Sequence, residues 1–242
     1  MCGVSVTLGR MKESAEPKKR NVARNALILR AGAEGDSVSE REGTSNYDTY
    51  DSEPESFDAF FDEVIAPYDG IRDYAEVEYG SRKGELVAAE FGGPARKLFG
   101  ELNRGHMFRR TAGFVLNDLR NDAERDADSK NGHDVVEADV FFKYGADGLS
   151  WHAVEEWTSK NGKPDIIFER MIQGVQLLRR ADLYVAIVKR WLSQLSEGGT
   201  LFAEISSMMP LEERQKIPAL LQELDAEEIA FNRDITCVRI HL

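Results

Sequence analysis

The 242-residue chain predicts a three-layer α/β sandwich, with helices on both faces of a mainly parallel seven-stranded sheet and an antiparallel hairpin at its C-terminal end. Three observations predict it. Residues 86–100, LVAAEFGGPARKLFG, read as a short apolar strand, a tight glycine turn and the start of a helix. From residue 85 onward, strand-length apolar runs alternate with helix-length segments. The last two β-rich runs are separated by Asn232, Arg233 and Asp234, a short polar link that suits a hairpin.

In chain order, the first strand is predicted at residues 86–91, with a helix from Pro94 to Gly105. Proline suits a first helical turn, where its missing N–H has no partner to lose. The second strand spans 112–117 and is closed by Asp118, and the polar stretch after it is a short helix or loop. The third strand spans 134–138 and is followed by Asp139. A helix over 147–161 puts Trp151, Val154 and Trp157 on one side. A strand at 165–168, a helix at 176–195 and a strand at 200–205 come next. A helix over 210–224 and strands at 228–231 and 236–241 complete the pattern.

Ahead of residues 83–242, which form the α/β domain, lie two further segments. Residues 1–50 are polar and poor in large apolar side chains, which predicts a disordered or loose arm, with one short amphipathic helix over 18–30. Residues 51–82 predict a helical extension. Ser56 is its cap, Phe57, Phe60, Phe61 and Val64 form one stripe, Pro67 interrupts, and Ile71, Tyr74 and Val77 form a second stripe. The aromatic stripe either docks the extension on the domain or makes it a lid over a ligand.

Composition narrows the function. Hydrophobic residues make up 42% and charged residues 31%, enough for a sizeable core beneath a polar surface. No run approaches the ~18 apolar residues that signal a membrane span. The first twenty residues lack the apolar segment of a secretory signal. The only cysteines are Cys2 and Cys237, which points to reduced thiols in a soluble, cytoplasmic protein. The net charge of −12 is concentrated at residues 34–80, which carry −13, whereas residues 1–33 carry +5. Such a surface disfavours a phosphate backbone as partner, because that contact relies on Lys and Arg.

Ligands of parallel α/β sheets bind outside the carboxyl ends of the strands. Three of those ends bear an acid, namely Glu90, Asp118 and Asp139, and Gly92 and Gly93 let a ligand approach the backbone after the first strand. Just past the fourth strand, Glu169 is a candidate to position an amine or hydroxyl, and Arg170 a candidate to clamp a carboxylate. His106 and His152 are further candidates for a base. The histidines and cysteines show no metal-ligand spacing, and no P-loop, G-x-S-x-G or C-x-x-C motif is present.

The β-α order, the acid before a glycine turn and the closing hairpin resemble a class I S-adenosylmethionine-dependent methyltransferase, with its Rossmann-like fold, over residues 83–242. Glu90-Phe91-Gly92-Gly93-Pro94 is similar to that family's [DE]-x-G-x-G turn, and LSQLSEGGTLFAEI to its helix, glycine turn and fifth strand. The resemblance implies S-adenosylmethionine as cofactor. Glu90, Gly92 and Gly93 would form its cradle, Asp118 (with Asn117 as competitor) would take the ribose hydroxyls, and Asp139 the adenine amino group. The segment 164–174, holding Glu169 and Arg170, would face the methyl acceptor, a small molecule. The turn departs from the family pattern in having adjacent glycines followed by Pro94, and Asp118 lies 28 residues past Glu90. A protein that keeps the fold and has lost catalysis is the alternative. A nicotinamide-dependent oxidoreductase would need G-x-G-x-x-G, which GGPARK lacks.

Overall fold

The computed structural model describes residues 53–116, 118–140, 151–169, 175 and 178–242. The N-terminal arm, its short helix, Asn117 and Arg170 lie outside these residues. Seven strands form one sheet: β1 (Leu86–Phe91), β2 (Phe108–Val115), β3 (His133–Glu137), β4 (Ile166–Glu169), β5 (Thr200–Glu204), β6 (Glu228–Phe231) and β7 (Cys237–His241). The helices are α1 (Pro54–Ile65), α2 (Ile71–Tyr79), α3 (Arg96–Leu102), α4 (Asp122–Lys130), α5 (His152–Asn161), α6 (Ala181–Leu192), α7 (Leu211–Arg214) and α8 (Ile217–Leu221).

The strand order is β3-β2-β1-β4-β5-β7-β6. The first five strands pair in parallel, and β7 lies antiparallel between β5 and β6. This bears out the predicted fold class and closing hairpin. The chain leaves β1 toward β2 and β3, then returns to the other side at β4, so the direction of winding switches between β1 and β4. In open α/β sheets that crevice is where ligands bind.

Both faces of the sheet are covered, so β1 and β5 are buried along their whole length and read as mostly apolar runs. Val87, Ala89 and Phe91 of β1 pack with Phe114, Ile167 and Leu201 against α5 and α6, including Trp151, Trp157 and Trp191. Alternate residues, Leu86 and Ala88, pack with Ile166, Phe168 and Phe202 against α1, α2 and α3. The extension belongs to this second core. Phe57 meets Phe168 edge-on at 5.2 Å and Phe61 meets Phe202 at 5.7 Å. Tyr74 and Tyr79 each bring a hydroxyl to 2.7 Å from Thr200 Oγ1, and Arg82 pairs with buried Asp165 at 2.8 Å.

Several boundaries differ from expectation for identifiable reasons. Ser56 is not the cap of α1. Pro54 takes the first turn with Glu53 as N-cap, and the Ser56 hydroxyl donates to the Glu53 carbonyl. Val77 is 62% exposed, because the buried stripe of α2 runs Ile71, Tyr74, Ala75, Tyr79, and a residue six positions after Ile71 falls on the far side. β2 starts at Phe108, since Arg110 is neutralised by Asp134 of β3 at 2.6 Å and so fits within the sheet. It ends at Val115, which leaves Asp118 three residues beyond the strand instead of closing it. The helix expected over 210–224 is two helices, since Pro218 has no N–H to offer the Arg214 carbonyl. β3 and β4 are each shifted by one residue, and α6 begins at Ala181.

Candidate functional site

At the carboxyl end of β1 the apolar run stops at Glu90 and Phe91, and the chain must turn sharply. Gly92 takes φ +106°, a region closed to most side chains, while its N–H donates to the Phe114 carbonyl at 2.9 Å. The turn then folds back over β2. A Cβ placed on Gly113 would sit 2.3 Å from the Pro94 carbonyl oxygen and 2.5 Å from that of Gly93. Only glycine at 113 lets the turn lie this low. Ala95 follows in the left-handed region at φ +55°, fully buried, and its carbonyl receives the Phe99 N–H of α3. A non-glycine residue there costs about 1 kcal/mol or more, so the surroundings must hold it.

The hold comes from β3. His133 is buried, and its Nε2 lies 2.8 Å from the Pro94 carbonyl while its Nδ1 lies 2.8 Å from Thr111 Oγ1. A carbonyl only accepts, so Nε2 carries the proton and Nδ1 receives the Thr111 hydroxyl. Burial drives the His133 pKa below its ordinary value, partly offset by the bond to Pro94. The ring is neutral and fixed in one tautomer.

The acids expected at the strand ends are placed along one edge. β3, β2, β1 and β4 are neighbours in that order, so Asp139, Asp118, Glu90 and Glu169 follow consecutive strand ends over roughly 15 Å. Glu90 is 1% exposed, between Gly113 of β2 and Phe168 of β4. Asp139 is buried directly after β3, and it partly offsets the burial that lowers the pKa of Arg190 on α6. Glu169 is fully buried, and its Oε2 accepts the Glu204 N–H at 3.0 Å. The Tyr184 hydroxyl has no hydrogen-bond partner among the described residues. Burial, and then the charges of Glu169 and Glu204, push its pKa far up, so it stays a neutral phenol.

Asp118 is the most heavily engaged of the four acids. Arg120 reaches both carboxylate oxygens, Nε to Oδ1 at 2.9 Å and Nη2 to Oδ2 at 3.0 Å, and Arg125 Nε adds a contact to Oδ2 at 3.1 Å. Burial works to raise its pKa, but the bonds from Arg120 and Arg125 outweigh it, and the net shift is downward. Arg120 also bonds Asp128, which Arg96 at the start of α3 shares. The network therefore ties the loop after β2 to α4 and to the residue that follows the glycine turn.

The two histidines expected as possible bases are elsewhere. His106 is exposed beyond α3, and His152 opens α5, 69% exposed beside Glu155 and Glu156. The groups that sequence reasoning missed are Thr111, Gly113, His133, Tyr184 and Glu204. Gly113 carried a signal, since a glycine inside a strand marks close backbone approach. The others depend on pairings between distant segments. No cluster of metal-binding side chains occurs among the described residues, and none of their helices is long and apolar enough to cross a membrane.

No family model matches the chain, and no curated protein matches it in sequence. Solved structures align with it in part. The methyltransferase MycE of the mycinamycin biosynthetic pathway, in complex with Mg and SAH, aligns at TM-score 0.48 and 8% identity. That alignment covers 79% of this chain and 55% of MycE, so this chain spans about half its length. The N-methyltransferase NodS of Bradyrhizobium japonicum aligns at TM-score 0.40 and 14% identity over 70% of this chain and 93% of NodS. An rRNA methylase of Streptococcus thermophilus aligns at 0.39 and 12% identity over 66% and 87%. Five parallel strands beside an antiparallel β7 are the Rossmann-like sheet with a closing hairpin that the resemblance implied.

Two measurements test this geometry. Gly113→Ala is expected to lower stability by about 3 kcal/mol in urea unfolding, because backbone oxygens at 2.3 and 2.5 Å have nowhere to go. The second concerns His133. Its pKa is lowered in the folded state, so the unfolded chain binds the extra proton first. The associated stability is complete above about pH 6.5 and declines as pH falls below it. His133→Gln should remove that part of the pH dependence below about pH 6.5, seen as a flatter plot of melting temperature against pH.

Proposed function

We propose that the protein transfers a methyl group from S-adenosylmethionine to a small-molecule acceptor. One observation carries the reading: a buried acid stands next to last in β1 at the switch point, and the positive-φ glycine turn that follows the strand lies so low on β2 that a Cβ at Gly113 would collide with it. This is the backbone cradle that an adenosyl ligand needs at that crevice. When bound, the cofactor supplies an electrophilic methyl group on a sulfonium centre.

The chain's own residues then have distinct tasks. Glu90 offers a carboxylate to the cationic amino group, and Gly92 and Gly93 keep side chains out of its way. Asp118, oriented by Arg120 and Arg125, accepts the ribose hydroxyls, and Asp139 accepts from the adenine amino group. Aligning donor and acceptor supplies most of the acceleration for such a transfer. Glu169 takes the proton that an N–H or O–H acceptor releases, and Arg170 clamps a carboxylate on the acceptor. A small acceptor suits a chain of net charge −12 better than a phosphate backbone does. The alternative is a ligand-binding protein that has lost catalysis, and one observation favours it: both oxygens of Asp118 are already bonded to guanidinium groups.

Calorimetric titration with S-adenosylhomocysteine tests the cofactor reading. Micromolar binding is expected, weakened about tenfold or more by Asp118→Asn, the scale of a charge-assisted hydrogen bond. No heat from a folded protein would reject it. Binding without turnover on any amine, hydroxyl or carboxylate acceptor would favour the non-catalytic alternative.

A further inference from the structure

We propose that His133, fixed by Thr111, is a positioning residue that sets the height of the glycine turn and so the affinity of the site for an adenosyl ligand. The proposal rests on reading that turn as the cofactor cradle. His133 lies on β3, two strands away from the turn it serves, and reaches over β2 to do so. The reach is possible because β2 contributes no side chain at Gly113, next to the Pro94 and Gly93 carbonyls.

Thr111 of β2 stands beside His133 in the parallel register and takes the other ring nitrogen. With both nitrogens engaged at 2.8 Å, the ring can neither flip nor change tautomer without losing a buried bond. Phe99 of α3 lies against the imidazole, with ring centroids 6.0 Å apart, which closes the remaining side. The residue thus held, Pro94, directly precedes Ala95, whose left-handed conformation must be maintained from outside. Within residues 92–95 the other described bond outside secondary structure is the Gly92 N–H on the Phe114 carbonyl, and Arg96 just beyond is tied to Glu124 and Asp128 by its side chain. Removing the imidazole leaves the exit of the turn without its bond and lets Pro94 and Ala95 relax away from β2. The backbone that a ligand must touch would then be displaced.

Three variants and two readouts decide the matter. His133→Leu keeps the volume and removes both bonds. His133→Gln places an N–H four bonds from Cα, as Nε2 is, and restores the donor to Pro94. Thr111→Val frees Nδ1 while leaving the strand apolar, and it serves if His133→Leu fails to fold. The dissociation constant for S-adenosylhomocysteine should rise about tenfold in His133→Leu and return to within about threefold of wild type in His133→Gln. Thr111→Val should lie between them. Amide hydrogen exchange, which needs no ligand, should accelerate at Gly92 and Phe99 in His133→Leu while the β5 amides keep their protection. Unchanged affinity and unchanged exchange in a folded His133→Leu would overturn the proposal, as would a His133→Gln no better than His133→Leu. If the wild type binds no S-adenosylhomocysteine, the cofactor reading fails on its own, and exchange alone decides whether His133 sets the turn.

Discussion

The structure depends on one close approach, the carbonyl oxygens of Gly93 and Pro94 resting where Gly113 has no side chain. Had β2 carried any Cβ at that place, the turn after β1 would stand off the sheet and α3 would start from a different point. The low turn has consequences in two directions. It brings Pro94 within reach of His133 on β3, and it sets Arg96, at the start of α3, beside Glu124 and Asp128 of α4. The glycine turn is thus joined to β3 by a neutral contact and to α4 by ionic ones. The ion pairs are partly exposed and contribute modestly one by one, but as a shared network they orient Asp118.

The opposite end of the sheet is held by a different set of contacts. Asp165 accepts the Val87 N–H, the Ser196 hydroxyl and the Arg82 guanidinium, while Thr200 gathers Tyr74, Tyr79 and His241. Asp165, Thr200, Tyr74 and Tyr79 are buried and their polar groups are satisfied, so they fix the extension in place as well as stabilising it. Together with the stacked and edge-on rings of Phe57, Phe61, Phe168 and Phe202, they make α1 and α2 part of the second core. Of the two readings of the aromatic stripe, docking on the domain is the one these contacts describe.

Much of this was legible in the chain itself. β1 and β6 fall on the predicted residues, because each short strand-length run is bounded by glycine or polar residues, which leaves little freedom. The start of β2 was hidden, because Arg109 and Arg110 look like a loop until Asp134 is known to lie opposite. The cap of α1 was misread because Ser56 is a good cap by type, whereas Pro54 is better suited to the first turn. At the site, the acids at the strand ends could be read from position alone. The clamp on Asp118 and the role of His133 could not, since both arise from side chains that only tertiary packing brings together. Local sequence fixes which groups stand at an edge, and long-range pairing decides what they are free to do.

The most direct test of the central claim is to map amide chemical shifts of the labelled protein during titration with S-adenosylhomocysteine. A cradle at the switch point predicts the largest saturable shifts at Gly92 and Gly93, with further shifts near Asp118, Asp139 and Glu169 along the same edge. Shifts confined to the far end of the sheet, around Asp165 and Thr200, or no shifts at millimolar ligand, would contradict it.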